Sequence, residues 1–393
     1  MEKQISGESR IFFGEALRLL QLSFPVWVGQ LAFTLAGFAD TVMAGRVGSH
    51  DLAGVGLAAG SWFPLFYGVN GLLLAVSPIC SQLMGAGKKH EIPDVIHHGL
   101  LIALIAGILT ILVLQCIPSV LLFMGSPENV VAIAALYLKG LAPGIPAMAG
   151  YLVFRCFTEA MGDTRPQMLI SLLGLPLNVF LNYVFIYGKM GMPAMGGAGC
   201  GLATGITFSC LFVIMFMYLS RARAYRSLGW IRRPDFRLER IFEIVRIGLP
   251  ISLTLFMEIS IFGFIVLFIG GLGAVVVSGH QVALNFSGLV YSIPLSLATG
   301  TTVRVGQAVG RKSKRKAMQV IRSGMGLSVG IASITLMLTL VFREKIVIFY
   351  TSDPEVRALA ASLLIFGALY QLSDAVMTAS LGALRGFKDT DVP

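Results

Sequence analysis

The stretch PVWVGQLAFTLAGFADTVMAG, residues 25–45, has a counterpart in PISLTLFMEISIFGFIVLFIG, residues 250–270. Both stretches begin with proline, end with glycine and are mostly apolar in between. When the sequence is compared with itself at an offset of 225 residues, small and turn-forming residues match identical residues along most of the chain. The matches are Pro25–Pro250, Gly45–Gly270, Gly48–Gly273, Gly54–Gly279, Gln82–Gln307, Gly85–Gly310, Lys89–Lys314 and Gly99–Gly324, with Asp163-Thr164 on Asp389-Thr390 after one extra residue. Such a period indicates one structural unit used twice.

Composition indicates that a lipid bilayer surrounds most of this chain. Hydrophobic residues make up 56% and charged residues 13%, whereas soluble proteins carry about 25% charged residues. Apolar stretches long enough to span a bilayer recur at 19–44, 55–80, 96–122, 130–153, 168–188, 198–219, 243–270, 275–303, 320–342 and 357–380. A β-barrel, the other spanning solution, would show short alternating strands. We therefore expect an all-α polytopic membrane protein with ten spans.

The basic residues predict the orientation of the chain. With a cytoplasmic N-terminus, 24 of the 30 Lys and Arg residues fall on the inner side, as the positive-inside rule requires. The inward segments are 1–18, 85–95, 155–166, 220–246, 304–322 and 385–393. The net charge of +10 is then explained by topology and by contact with anionic membrane lipids. We expect no nucleic-acid partner.

The repeat also predicts how the halves are arranged. Each copy enters the membrane from the same side, so the repeat is parallel, a pattern typical of two-halved transporters. We expect two pseudo-symmetric six-helix lobes, with an N-terminal lobe over 1–228 and a C-terminal lobe over 229–393, joined by the basic segment 220–242. Because the sequence stops at Pro393, we expect the second lobe to be truncated to four helices.

A carboxylate near the middle of a predicted span costs about 2.5–3.5 kcal/mol and therefore suggests function, and three carboxylates qualify. They are Asp40, Glu258 and Asp374. No Lys or Arg in the spans is an obvious partner, so the natural counter-charge is an exchangeable cation or proton. Tyr370 precedes Asp374 by four residues and shares its helix face. Glu258, Asp374 and Tyr370 thus predict an oxygen-lined cation site, and Glu258 with Asp374 is where Na⁺ would bind.

A second, more neutral group is predicted around Asp40. Asn178 and Asn182 are four residues apart and face one side of their helix, and Thr204 supplies a further oxygen from the next span. Spacing does not decide between a proton and a sodium ion at this group. Pro25 and Pro250 each remove a helix hydrogen bond and predict kinks in their helices.

Several motifs together resemble the multidrug and toxic compound extrusion (MATE) transporters, and specifically their NorM-like branch. The matching segments are Pro25 through Gln30-Leu31, Phe38-Ala-Asp40-Thr41-Val-Met-Ala-Gly45, Gly279-His-Gln281-Val-Ala-Leu-Asn285, Arg304-Val-Gly306-Gln307, Tyr370-Gln-Leu-Ser-Asp374, and Leu384-Arg385-Gly386 with Asp389-Thr390. They extend from one end of the chain to the other. The resemblance implies twelve helices in two lobes around a V-shaped cleft.

The resemblance also implies a function and a set of site residues. Asp40 matches the family's first-lobe acid, and Glu258, Asp374 and Tyr370 match the second-lobe cation site. Asn178 matches a first-lobe polar site, whereas Asn182 stands where some relatives carry Asp. We therefore expect a monomeric antiporter of the inner membrane that exports cationic and amphipathic organic compounds in exchange for Na⁺ or H⁺, with no other cofactor. The alternatives are a lipid-linked precursor flippase of the same superfamily and a membrane-embedded enzyme.

Overall fold

A computed structural model describes residues 2–230, 237–269, 272–351 and 353–390. Pro234 of the linker, Gly270 and Pro393 lie outside these residues. Over the described residues the chain forms α-helices and two short 3-10 turns, Lys89–Glu91 and Ala142–Gly144, with no β-strand. The helices are α1 Glu2–Gly45, α2 Ser49–Leu74, α3 Val76–Gly85, α4 Ile92–Phe123, α5 Glu128–Leu141, α6 Ile145–Ala160, α7 Arg165–Tyr187, α8 Ala198–Arg221, α9 Arg223–Arg226, α10 Leu238–Ile269, α11 Ala274–Gly310, α12 Lys314–Ile348 and α13 Pro354–Phe387.

Ten segments of the described chain are long and apolar enough to cross a membrane. They are Phe12–Gly45, Ser49–Gly85, Lys89–Phe123, Glu128–Ala160, Arg165–Tyr187, Ala198–Arg221, Leu238–Ile265, Val275–Gly310, Lys314–Ile348 and Pro354–Phe387. Each contains or overlaps one of the ten predicted spans. The prediction of an all-α polytopic membrane protein is therefore confirmed.

Two of the spans are interrupted where proline removes a helix hydrogen bond. α2 and α3 are separated by Ala75. Pro78 follows Leu74 by four residues, and its nitrogen has no hydrogen to donate to the Leu74 carbonyl. α5 and α6 are joined by the 3-10 turn Ala142–Gly144, which contains Pro143. Each pair of helices nevertheless belongs to one candidate span, Ser49–Gly85 and Glu128–Ala160.

Helix ends recur at the offset seen in the sequence. α3 ends at Gly85 and α11 ends at Gly310, which are 225 residues apart. The span Glu128–Ala160 corresponds to the single helix Pro354–Phe387 at the later offset of 226. Pro25 and Pro250 both lie inside unbroken helices, α1 and α10. Their proposed bending role stays a prediction.

By its internal contacts the chain divides into two compact units. The larger unit contains Val28–Met84 and Lys88–Ile259, and the smaller unit contains Met1–Trp27, Gly85–Gly87 and Ser260–Pro393. This division follows packing, whereas the predicted boundary at residues 228 and 229 follows the repeat.

In the larger unit, small residues allow helices to approach closely. Gly201 and Gly205 are four apart on one face of α8, a pattern typical of packed membrane helices. A Cβ atom on Gly205 would lie 2.9 Å from the carbonyl oxygen of Gly140 on α5, and one on Gly201 would overlap with the backbone of Tyr137. This close approach fixes α8 against α5 and with it the position of Thr204.

The smaller unit is built around α11, α12 and α13, which contact one another. Thr302 of α11 donates a hydrogen bond to the carbonyl oxygen of Gly382 in α13 at 2.8 Å. The N-terminal part of α1 joins these helices through an ion pair, in which the Arg304 guanidinium lies 2.5 Å from the Glu15 carboxylate. Glu15 is buried, so Arg304 supplies the charge that such burial requires.

Candidate functional site

Asp40 is a buried carboxylate inside a membrane-spanning helix. It lies on α1, five residues before the helix ends at Gly45, and its exposed fraction is 5%. A carboxylate removed from water in this way requires hydrogen-bond donors or a counter-charge. The larger unit provides the donors from α7 and α8.

The donors and Asp40 form a closed ring of hydrogen bonds. Asn182 donates its amide to Asp40 Oδ1 at 2.5 Å and also approaches Asn178 Oδ1 at 3.1 Å. Asn178 donates in turn to Thr204 Oγ1 at 3.3 Å, and the Thr204 hydroxyl donates to Asp40 Oδ2 at 3.1 Å. The structure thus brings together all four residues that the sequence predicted for the first-lobe polar site.

The ring has chemistry suited to an exchangeable cation. No Lys or Arg in the described chain forms an ion pair with Asp40, so its charge is met only by neutral donors. The Asn182 Oδ1 atom is buried and accepts no hydrogen bond from the described residues. Carboxylate, amide and hydroxyl oxygens are ligands for hard cations such as Na⁺, and the carboxylate alone is a proton acceptor.

Sequence reasoning missed two neighbours of this ring. Cys200 on α8 donates its thiol to the backbone carbonyl of Asp40 at 3.6 Å. Tyr137 on α5, with only 3% of its surface exposed, lies beside Asp40 and Thr204. Cys200 follows the glycine-rich turn into α8 and precedes Thr204 by four residues, which is the spacing that would have placed it on the same helix face.

Tyr370 and Asp374 lie together in the smaller unit, as their spacing predicted. Both line a pocket of about 30 Å³, which is enough for a water molecule or a single ion. Its polar lining is Ser287, Tyr291, Thr335, Tyr370, Gln371 and Asp374.

The wall of this pocket is fixed by a short hydrogen-bonded chain between α12 and α13. Thr335 donates to the Gln371 side-chain oxygen at 3.0 Å, and the Gln371 amide donates to Thr339 at 3.4 Å. Because Gln371 is the residue next to Tyr370 and Asp374 follows three positions later, these bonds help to set the orientation of α13 and of both predicted site residues.

Glu258, the third predicted carboxylate, belongs to the larger unit. It lies on α10 and is partly exposed. Tyr67 on α2 lies within electrostatic range of both Glu258 and Arg155. α10 is held against α2 at this level, because Ser252 donates to the carbonyl oxygen of Gly68 at 2.7 Å. The sequence prediction that Glu258 shares a site with Asp374 and Tyr370 stays a prediction.

Long apolar helices that enclose buried carboxylates define this protein as a polytopic membrane transporter. The MatE family profile matches residues 25–184 and 250–393. The chain is 44% identical to the multidrug resistance protein PmpM of Pseudomonas aeruginosa over 382 residues, which are 96% of this chain and 80% of PmpM. It is 40% identical to the probable multidrug resistance protein NorM of Shewanella oneidensis, covering 96% of this chain and 82% of that protein. The chain therefore belongs to the MATE family and is a NorM-like member of it.

The fold agrees with this assignment. The crystal structure of the eukaryotic MATE transporter AtDTX14 has a TM-score of 0.88 with this chain at 21% sequence identity. The match covers 97% of this chain and 85% of that one. Membership of this family places the protein among transporters and not among enzymes.

Proposed function

We propose that this protein exports cationic and amphipathic organic compounds from the cell in exchange for Na⁺ or H⁺. The observation that carries the proposal is the hydrogen-bonded ring around Asp40, a buried carboxylate whose donors are all neutral. Relatives at 44% and 40% identity are named multidrug resistance proteins, which supports drug efflux as the transport direction. In this scheme the coupling ion supplies the positive charge that balances the Asp40 carboxylate.

The carboxylates would act through alternating access. A proton or Na⁺ that binds the Asp40 carboxylate neutralises it and weakens the hydrogen bonds that it accepts from Asn182 and Thr204. Because these donors lie on α7 and α8, the change alters how strongly α1 is bound to those helices. Asp374 with Tyr370, and Glu258, supply further oxygen ligands that suit Na⁺. Organic cations would be drawn to the same acidic interior.

The surroundings of the protein follow from the same reasoning. We propose that it is a monomer in the inner membrane with a cytoplasmic N-terminus, because Lys and Arg concentrate in the segments that this orientation places inside. Its partners are then small organic cations and membrane lipids, with no nucleic acid. No cofactor is needed beyond the coupling ion.

The test is export of a cationic dye from vesicles that contain the purified protein, under imposed sodium or proton gradients. The variants are Asp40→Asn, Glu258→Gln and Asp374→Asn, each of which removes charge and retains shape. Asp353→Asn is the matched control, because Asp353 is exposed and caps α13 through Glu355 and Val356, a role that Asn performs equally well.

We expect Asp40→Asn to abolish gradient-driven export and the control to transport like the wild type. Dependence of export on one gradient and not the other identifies the coupling ion. Wild-type export by all three single variants under both gradients would show that these carboxylates do not couple transport.

A further inference from the structure

A groove between α4 and α5 opens on the surface of the larger unit. It has a volume of about 240 Å³, which is room for several molecules the size of water. Leu114 and Leu138 are buried and form its floor. Gln115 and Lys139 add polar groups to its lining, and both are exposed.

Lys139 is unusual because it lies within the span Glu128–Ala160. An ammonium inside a span costs about 2.5–3.5 kcal/mol at the bilayer centre, so such a residue normally has a partner. Among the residues that the structure describes, no carboxylate forms an ion pair with Lys139. Any anion that pairs with Lys139 therefore comes from outside the described residues.

The depth of Lys139 suggests which kind of anion is available. A 33-residue span is about 50 Å long at 1.5 Å per residue, so it extends about 10 Å beyond each side of a hydrocarbon layer about 30 Å thick. With the span centred and upright in the membrane, Lys139, eleven residues after Glu128, has its Cα about 6 Å inside that layer. A lysine side chain is long enough to return the ammonium to the boundary with the headgroups.

Exposed apolar side chains lie next to the groove on the surfaces of both helices. Leu112 lies one turn before Gln115 on α4 and Leu136 one turn before Lys139 on α5, and they are 59% and 54% exposed, as is expected of side chains that face acyl chains. Pro118, which lines the groove, has no N–H to offer the carbonyl of Leu114. Apolar flanks, a cation and neutral polar groups therefore meet at the depth of the glycerol and phosphate of a phospholipid.

We propose that the groove between α4 and α5 binds an anionic phospholipid, with its phosphate on Lys139 and Gln115 and one acyl chain along Leu112 and Leu136. If Lys139 only extends toward the headgroups, lipid binding depends on its charge alone. If the groove is a binding site, lipid binding also depends on the space in the groove. The two explanations therefore predict different lipid binding when the groove is filled and Lys139 is kept.

The experiment is native mass spectrometry of the detergent-solubilised protein titrated with phosphatidylglycerol. Lys139→Gln removes the charge, Lys139→Arg keeps it, and Ala135→Phe fills the groove beside an unaltered Lys139. Lys189→Gln is the matched control, because Lys189 is exposed in the loop after α7 and lies outside the spans. A parallel titration with inorganic phosphate separates a lipid from a free anion.

We expect the wild type, Lys139→Arg and the Lys189→Gln control to retain one lipid. Lys139→Gln should bind it about fivefold more weakly, the effect of one basic residue at an anionic surface, and Ala135→Phe should bind it at least as weakly. Full binding by Ala135→Phe would show that the charge acts without the groove and would overturn the proposal. Equal binding of inorganic phosphate would overturn it as a lipid site.

Discussion

The Asp40 carboxylate accepts a hydrogen bond of 2.5 Å from Asn182, a residue 142 positions later in the chain. The same separation recurs eleven residues earlier on each helix, where a Cβ on Gly29 would touch the Ser171 hydroxyl. α1 and α7 therefore run parallel and in register between these two contacts. The ring around Asp40 is one end of this helix pairing, so a change at Asp40 acts on the pairing of two whole spans.

Removal of the hydroxyl of Thr204 tests whether the ring sets ion binding. Thr204→Val keeps the shape of the side chain but loses the donor to Asp40 and the acceptor for Asn178. A hydrogen bond to a charged group contributes about 1.5–3 kcal/mol, so we expect the ion or proton affinity measured in transport assays to change about tenfold or more.

Thr207→Val is the control for this substitution. Thr207 is also buried on α8, and among the described residues its hydroxyl donates only to the carbonyl of Ala203 in its own helix. We expect this variant to transport like the wild type with an unchanged dependence on ion concentration. If both variants behave alike, the ring does not set the affinity.

Much of this ring follows from the sequence, because its members are polar residues at helical spacing in apolar spans. The spacing of Asn178 and Asn182 indicates a common face, and Asp40 has no charged partner nearby. The sequence does not supply the register of α1 against α7, which depends on contacts between residues 142 apart. Nor does it place Tyr137, whose backbone must first approach Gly201.

A second buried charge was missed for a different reason. Arg155 and Glu159 fall in a segment predicted to lie at the cytoplasmic surface, yet both belong to α6. Glu159 has 1% of its side chain exposed and lies 3.5 Å from Arg155, whose other nitrogen donates to Asn70 at 3.0 Å. The two opposite charges lie beside each other on successive turns of the helix, and the helix continues past the end of the apolar run.

We predict that Arg155 and Glu159 are energetically coupled. Arg155→Met or Glu159→Gln alone should lower the thermal unfolding temperature in detergent, because the loss of one partner of a buried pair costs about 3–5 kcal/mol. The double variant should be destabilised by much less than the sum of the two. Additive losses in this double-mutant cycle would mean that the two charges do not depend on each other.

The close approach of α8 and α5 is testable through glycine. Gly205→Ala would place a Cβ 2.9 Å from the carbonyl oxygen of Gly140, and a backbone atom cannot rotate away as a side chain does. We expect a loss of about 1–3 kcal/mol, the usual effect of overpacking, measured as a lower unfolding temperature.

Gly60→Ala on α2 is the control for glycine substitution. A Cβ at Gly60 would meet no atom within 4 Å, so helix propensity alone should act, with a gain of up to about 1 kcal/mol. A loss at Gly60 as large as at Gly205 would contradict the packing explanation.

The last prediction concerns Tyr225, which lies outside the spans and anchors the start of the linker. Its hydroxyl donates to Asp163 at 2.9 Å, and burial, followed by the neighbouring carboxylate, raises the pKa of Tyr225 above its ordinary value. A raised pKa in the folded state contributes stability below the unfolded value of about 10, and this stability falls as the pH rises above it. Tyr225→Phe should therefore unfold at a lower temperature near pH 7 but lose less stability than the wild type above about pH 10. A pH profile of Tyr225→Phe parallel to that of the wild type would show that Tyr225 does not resist ionisation.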